Sequence, residues 1–241
     1  MNQAEVVQYS NSNEKLRAFL KGAAAIIPLT VAVLPWGILT GSLAIESGFD
    51  PIQSQALSGI IFAGAVQLAI MGMIQAGVGL SSILISALLI TSRHFLYSMV
   101  MRKNISPLPL RWRLTLGFLL TDELFAIANP GQLKRFDRWY TLGGGLCFYL
   151  GWNLATLGGI VAGESIENLD ALGLDFAIAA TFIALVIPTI KNASVLVCVL
   201  TALVTSVICE TMHIQAGLLI SAPLAMLTGF AYAKATAKGE D

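Results

Sequence analysis

Gly22-Ala-Ala-Ala-Ile-Ile-Pro-Leu-Thr-Val-Ala-Val-Leu-Pro-Trp-Gly-Ile-Leu-Thr-Gly-Ser-Leu-Ala-Ile45 runs for 24 residues without a charged side chain. As a helix it would be about 36 Å long, enough to cross the roughly 30 Å hydrocarbon core of a bilayer. The rest of the chain has the same character. Of 241 residues, 56% are hydrophobic and 12% are charged, about half the roughly 25% charged share of soluble domains. The mean hydropathy is +0.77. So few polar groups cannot cover so large an apolar mass, and lipid must solvate part of the surface. The 14 basic and 14 acidic side chains cancel, leaving no net field to attract nucleic acid. Cys147, Cys198 and Cys209 lie in apolar stretches without CxxC spacing, so they read as small fillers rather than disulfides or zinc ligands.

The gaps between charges outline the other spans. Pro51 to Ser92 is uncharged for 42 residues, room for about two helices with a turn at Gly77 and Gly79. A helix from about Leu80 to Met101 then carries Arg93 and His94 near its middle. Leu114 to about Asn129 is a shorter segment with Asp122 and Glu123 at its centre. Trp139–Gly163, Phe176–Ile190, Asn192–Cys209 and Thr211–Ala233 follow. The expected fold is an all-α integral membrane bundle of about eight helices, seven if one is re-entrant. Leu114–Asn129 and Phe176–Ile190 look short or broken. The domain plan is a polar tail over residues 1–21, one transmembrane domain over 22–233 and a second tail over 234–241. The first tail lacks the apolar core and cleavage site of a signal peptide. Its short Leu16–Leu20 stretch suits a membrane surface.

Loop charges set an expected orientation. The N-terminal tail, Lys134 to Arg138, Lys191 and Lys234/Lys238 are basic and expected to be cytoplasmic. Glu46 to Asp50 and Glu164 to Asp175 carry acids without Lys or Arg and are expected outside. Eight crossings satisfy these and place both termini inside. One loop disagrees: Arg102 to Arg113 holds four basic residues, yet eight crossings put it outside. A faint repeat, Gly37/Gly41 then Phe62 against Gly159/Gly163 then Phe182, suggests duplicated halves.

Ionisable groups near mid-membrane cost roughly 2.5–3.5 kcal/mol each on insertion scales, so each needs a reason. Arg93 and His94 point about 100° apart on a helix, and Tyr97 lies one turn beyond Arg93 on its face. Asp122 and Glu123 repeat the arrangement with opposite sign. An internal ion pair between Arg93 and one acid accounts for two of these groups. A polar cavity that binds substrate or carries protons accounts for all of them. Burial favours the neutral form of each group, a protonated acid but an unprotonated histidine. Asp122 and Glu123 therefore rank above His94 as carriers of a coupling proton, and as adjacent acids they titrate as a pair. Pro28 and Pro35, with Gly37, are expected to interrupt the first span and free carbonyls into a cavity. Gln67 is a large amide near mid-span that can bond across helices or hold a polar ligand. Gly37-xxx-Gly41 and Gly159-xxx-Gly163 suit close helix packing. Glu210 and His213 read as solvated groups at an outer end.

Catalytic patterns are scarce. The sequence has no GxxxxGK[ST], no HExxH and no GxSxG, so neither ATP hydrolysis nor an esterase or zinc-protease reaction is expected. Two histidines far apart make a metal site improbable, and no cofactor is expected. The chain reads as a conduit rather than an enzyme.

Three stretches carry a likeness to a known family. Phe62-Ala-Gly-Ala-Val-Gln67, Ser92-Arg-His-Phe-Leu-Tyr97 and Thr121-Asp-Glu-Leu-Phe-Ala126 occur in this order. They resemble the signature stretches of the AzlC family, the larger subunits of branched-chain amino acid exporters. Leu172–Ala177 and Phe182-Ile183, after Trp152, extend the likeness to about residues 16–233. Thr91-Ser92 departs from the Asn or Asp that many members carry before the arginine. The resemblance implies an exporter of valine, leucine, isoleucine or methionine that works with a small AzlD-type membrane subunit. In that setting Arg93 or helix-end amides near Pro35 would meet the substrate carboxylate, and Asp122, Glu123 or Gln67 its ammonium. A channel, an exporter of another solute, or a non-transporting scaffold subunit are the alternatives.

Overall fold

The computed structural model describes residues 7, 11–129, 135–165, 183, 187, 190–212, 214 and 217–237. Every element among them is helical. The loop Glu164–Asp175 expected outside, the Leu172–Ala177 stretch, Phe182, most of Phe176–Ile190 and His213 lie outside these residues or have no described side chain. The helices are α1 (Ser12–Glu46), α2 (Pro51–Ala56), α3 (Gly64–Gln75), α4 (Leu80–Ile105), α5 (Leu110–Phe118), α6 (Asp122–Ala128), α7 (Arg138–Ser165), α8 (Ala193–Thr211) and α9 (Gly217–Ala237). Among the described residues α1, α4, α7 and α8 are long and apolar enough to cross a membrane. Large apolar side chains stand exposed along them, Leu88, Phe95, Leu154 and Leu203 among others. Exposed apolar surface on this scale belongs in lipid.

The chain divides into two compact units, one of residues 1–71 with 90–169 and one of 72–89 with 170–241. The first is organised by α1 and α7, which run side by side and parallel. A Cβ on Gly22 would fall on the Tyr140 carbonyl near the start of α7, and one on Gly159 would fall on the Ile38 carbonyl near its end. The Ser42 hydroxyl donates to the Gly159 carbonyl at 2.9 Å. The two small-xxx-small motifs therefore pack against each other within the chain, which lets the backbones touch where lipid supplies no hydrophobic drive.

Pro28 and Pro35 do not interrupt the first span. α1 runs through both as a single helix of 35 residues, with both prolines on its exposed face. Gly37 is buried against Ala155 of α7. The expected break at these three residues is thus corrected: neighbouring helical turns tolerate the missing donors where α7 holds the opposite face. The helix also begins at Ser12, capped by the Asn11 side chain on the Asn13 amide, so it takes in Lys15, Arg17 and Lys21 of the polar tail.

The segment expected at Leu114–Asn129 is broken at its centre. α5 rises from Trp112, whose ring meets Trp139 at the start of α7, to Phe118, which meets Tyr149. Leu119 and Leu124 then pack over Gly145, and Ile127 over Gly144. A count of eight crossings sets the Arg102–Arg113 loop opposite the N-terminal tail. In the structure Arg111, near the start of the nine-residue α5, shares a cleft with Lys15 and Arg138.

In the second unit Gly77 takes a positive φ of 67° at the expected turn between α3 and α4, a conformation glycine adopts without cost. α8, capped by Asn192 on the Val195 amide, pairs antiparallel with α9: Gly217 packs on Cys209 and Gly229 on Cys198. Glu210 is exposed in the last turn of α8.

Candidate functional site

The first helix break follows α2. Asp50 and Gln53 form a capping box with Pro51 at the first helical position, a strong start signal. The helix then widens into a π-turn over Leu57–Ile61, a distortion frequently found at functional sites. It ends at Phe62, whose φ of 47° and ψ of 47° are left-handed. For a bulky residue this conformation is uncommon and must be held by its surroundings. Phe62 is held by the rings of Tyr149, Phe148 and Phe118, at 4.9, 5.9 and 5.9 Å. α3 restarts at Gly64, where a Cβ would sit 2.5 Å from the Trp152 ring.

The π-turn carries a buried polar chain. Gln67 Nε2 and Trp152 Nε1 donate to Ser58 Oγ at 2.9 and 3.2 Å. The Ser58 hydroxyl must then donate onward to Thr156 Oγ1, 2.8 Å away, because Thr156 itself donates to the Trp152 carbonyl. The contact of Gln67 with Ser58 means that the chain bends between the π-turn and α3. Gln67 Oε1 is buried and meets no donor among the described residues. Alongside, the Tyr149 hydroxyl donates to the Gly59 carbonyl at 2.9 Å, using an acceptor of the widened turn.

The second break lies between α5 and α6. Thr121 caps α6 by accepting from the Leu124 amide, and Asp122 and Glu123 occupy the first turn, where the helix dipole favours acids. Arg93 of α4 reaches across to Asp122, Nη2 to Oδ2 at 2.8 Å, with both side chains part-exposed. Tyr97 stacks on Phe125 with centroids 4.4 Å apart and planes at 16°, and His94 meets Tyr97 edge-on at 5.9 Å. His94 Nδ1 lies 3.1 Å from the Thr91 carbonyl.

The two breaks face one another. A cleft of about 500 Å³ opens between Phe62 and Ala63 of the first, Phe118 and Leu120 of the second, and Thr91, His94, Phe95 and Ser98 of α4. Of the residues singled out in the sequence, His94 lines it. Arg93, Tyr97 and Asp122 form an adjoining cluster, Glu123 follows Asp122 in the same turn, and Gln67 belongs to the buried chain behind Phe62. Pro28, Pro35 and Gly37 are not among its lining residues. Sequence reading missed Ser58, Tyr149 and Thr156, whose hydroxyls match those of any packed helix. It also missed the cap at Thr121, although Thr-Asp-Glu before Leu124 is a helix-start signal.

Two of the three stretches, Phe62–Gln67 and Ser92–Tyr97, thus line the cleft, the third adjoins it through the Arg93–Asp122 pair, and comparison with known proteins gives them a family. The model of the family described as AzlC protein matches residues 28–166, which include both breaks and α4. The chain belongs to the AzlC family. An uncharacterized membrane protein of Archaeoglobus fulgidus is 34% identical over 188 residues, covering 77% of this chain and 82% of that protein. The inner membrane protein YgaZ of Escherichia coli is 30% identical over 221 residues, covering 88% and 86%. An uncharacterized membrane protein of Helicobacter pylori is 28% identical over 185 residues, covering 76% and 80%. No solved structure matches. With its exposed apolar helices, this AzlC chain is an integral membrane protein.

Proposed function

We propose that this AzlC-family chain is the transporting subunit of a secondary active, proton-coupled exporter of branched-chain and other hydrophobic amino acids, acting with a small AzlD-type membrane subunit. The observation that carries the reading is the cleft between two helix breaks, beside the Arg93–Asp122 pair. Broken helices near mid-membrane present backbone donors and acceptors that lipid cannot satisfy but a zwitterion can. At about 500 Å³ the cleft lies within the roughly 300–1,000 Å³ usual for small-molecule sites. Phe62, Phe95 and Phe118 offer an apolar wall for an aliphatic side chain. The Asp122/Glu123 pair is suited to the ammonium or to a proton, and Arg93 to the carboxylate or to holding Asp122 in place.

The test is efflux from proteoliposomes loaded with a panel of amino acids, with and without a pH gradient and the small subunit. Gradient-dependent loss of valine, leucine or isoleucine supports the reading. No efflux of any amino acid from vesicles holding both subunits sinks it. On the same reading Asp122→Asn, whose amide oxygen can still accept from Arg93, or Glu123→Gln should leave the protein folded but make efflux insensitive to the gradient. If both variants respond like the parent, the carboxylate pair is not the coupling site and serves only as an ion-pair anchor.

The end of the first unit that carries Lys15, Arg111 and Arg138 is assigned to the cytoplasm by its positive charge. A cysteine at position 111, in a cysteine-free background, should label in intact cells only with a membrane-permeant reagent. Labelling by an impermeant reagent overturns that orientation.

A further inference from the structure

At the end of the first unit where α1, α5 and α7 begin lies a second cleft, of about 460 Å³. It is lined by Lys15 from α1, Arg111 and Trp112 from α5, and Arg138 and Trp139 from α7. Three cations from three separate helices converge on it. The Trp112 and Trp139 rings meet edge-on at 4.9 Å, and the Arg138 guanidinium lies 5.1 Å above the Trp112 ring. Two buried donors, Arg138 Nε and Trp139 Nε1, meet no acceptor among the described residues. The neighbouring Asp137 directs Oδ1 to the backbone amides of Trp139 and Tyr140, at 2.9 and 3.2 Å, where it caps α7. Clustered like charges and buried, unmet donors both disfavour an empty cleft. One ligand answers both: an anion with several oxygens.

We propose that this cleft binds the phosphate of an anionic phospholipid headgroup. A phosphate presents oxygens to several donors at once, and guanidinium, ammonium and indole N–H groups all suit it. The leucines beside the cations favour a lipid over a soluble anion. Leu16 follows Lys15, and Leu110 and Leu114 flank Arg111; all three are more than half exposed. Acyl chains have apolar surface to lie on within one helical turn of the charged groups. Tryptophans are also characteristic of the level at which headgroups sit, and basic pockets between membrane helices bind anionic headgroups. The site is separate from the cleft at Phe62 and does not depend on what that cleft transports.

The experiment uses the full chain, purified in detergent, and native mass spectrometry with phosphatidylglycerol, phosphatidylcholine or inorganic phosphate. Phosphatidylglycerol should bind at least about tenfold more tightly than phosphatidylcholine. The Lys15→Gln/Arg111→Gln double variant alters a half-buried and an exposed position, so it should fold; it should remove most of that preference. A brominated phosphatidylglycerol should also quench tryptophan emission of the unmodified protein more strongly than brominated phosphatidylcholine. Equal binding of the two lipids, or an unchanged preference in the double variant, overturns the proposal. So does displacement of the lipid by millimolar inorganic phosphate, which would assign the cleft to a soluble anion.

Discussion

Gly159→Ala should abolish accumulation of folded protein, whereas Gly158→Ala, one residue away, should leave it unchanged. The added methyl group at 159 falls on the Ile38 carbonyl, while one at 158 meets nothing within 4 Å. At 159 the obstacle is main chain inside a continuous helix, so no side chain can swing aside. α1 and α7 must part, and the Ser42 bond to the Gly159 carbonyl is strained with them. Ordinary overpacking costs roughly 1–3 kcal/mol, and this case belongs at or above the upper end because the whole seam opens. Gly41→Ala, directed at the Thr156 carbonyl, should behave alike. Fluorescence-detected size exclusion and a detergent melting curve read the result. If Gly159→Ala elutes and melts like Gly158→Ala, the parallel α1–α7 seam is wrong.

Arg93→Ala should have an effect of similar size, but one that a second substitution partly reverses. Removing the guanidinium leaves the Asp122 carboxylate without its ion-pair partner, and breaking a desolvated ion pair on one side costs about 3–5 kcal/mol when burial is complete. Both side chains keep some exposure, near 40% and 35%, so the penalty should fall below that range. Arg93→Ala/Asp122→Ala removes both charges and should recover folded protein without recovering transport. A single variant that folds and transports like the parent would show that the pair contributes neither stability nor function. Equal loss of folded protein in the single and double variants would show that Arg93 acts through packing instead.

Much of the Arg93–Asp122 cluster was legible in the sequence because charges in apolar runs are local signals. Charges at 93, 122 and 123 in apolar surroundings need partners, and the structure places Arg93 against Asp122. Where sequence reading went astray, it gave local signals more weight than their surroundings allowed. Pro28 and Pro35 are helix breakers by covalent geometry, yet α1 passes through them. The real breaks occur at Phe62, which no intrinsic preference marks, and before Thr121, where a cap signal lies within a run that hydropathy joins into one segment.

The sequence by itself determined that the chain resides in a membrane, that its elements are helices, and which residues bring polarity into the apolar interior. These follow from composition and from uninterrupted apolar runs, which no tertiary contact can alter. Only the tertiary structure decided where the helices break, which glycines face each other, and that Arg111 joins Lys15 and Arg138 at one end. Each of these rests on contacts between residues far apart in the chain. Trp152, 94 residues beyond Ser58, supplies the hydrogen bond that helps hold the widened turn. In lipid a distorted backbone persists only where such distant partners satisfy its polar groups, and a sequence does not display who those partners are.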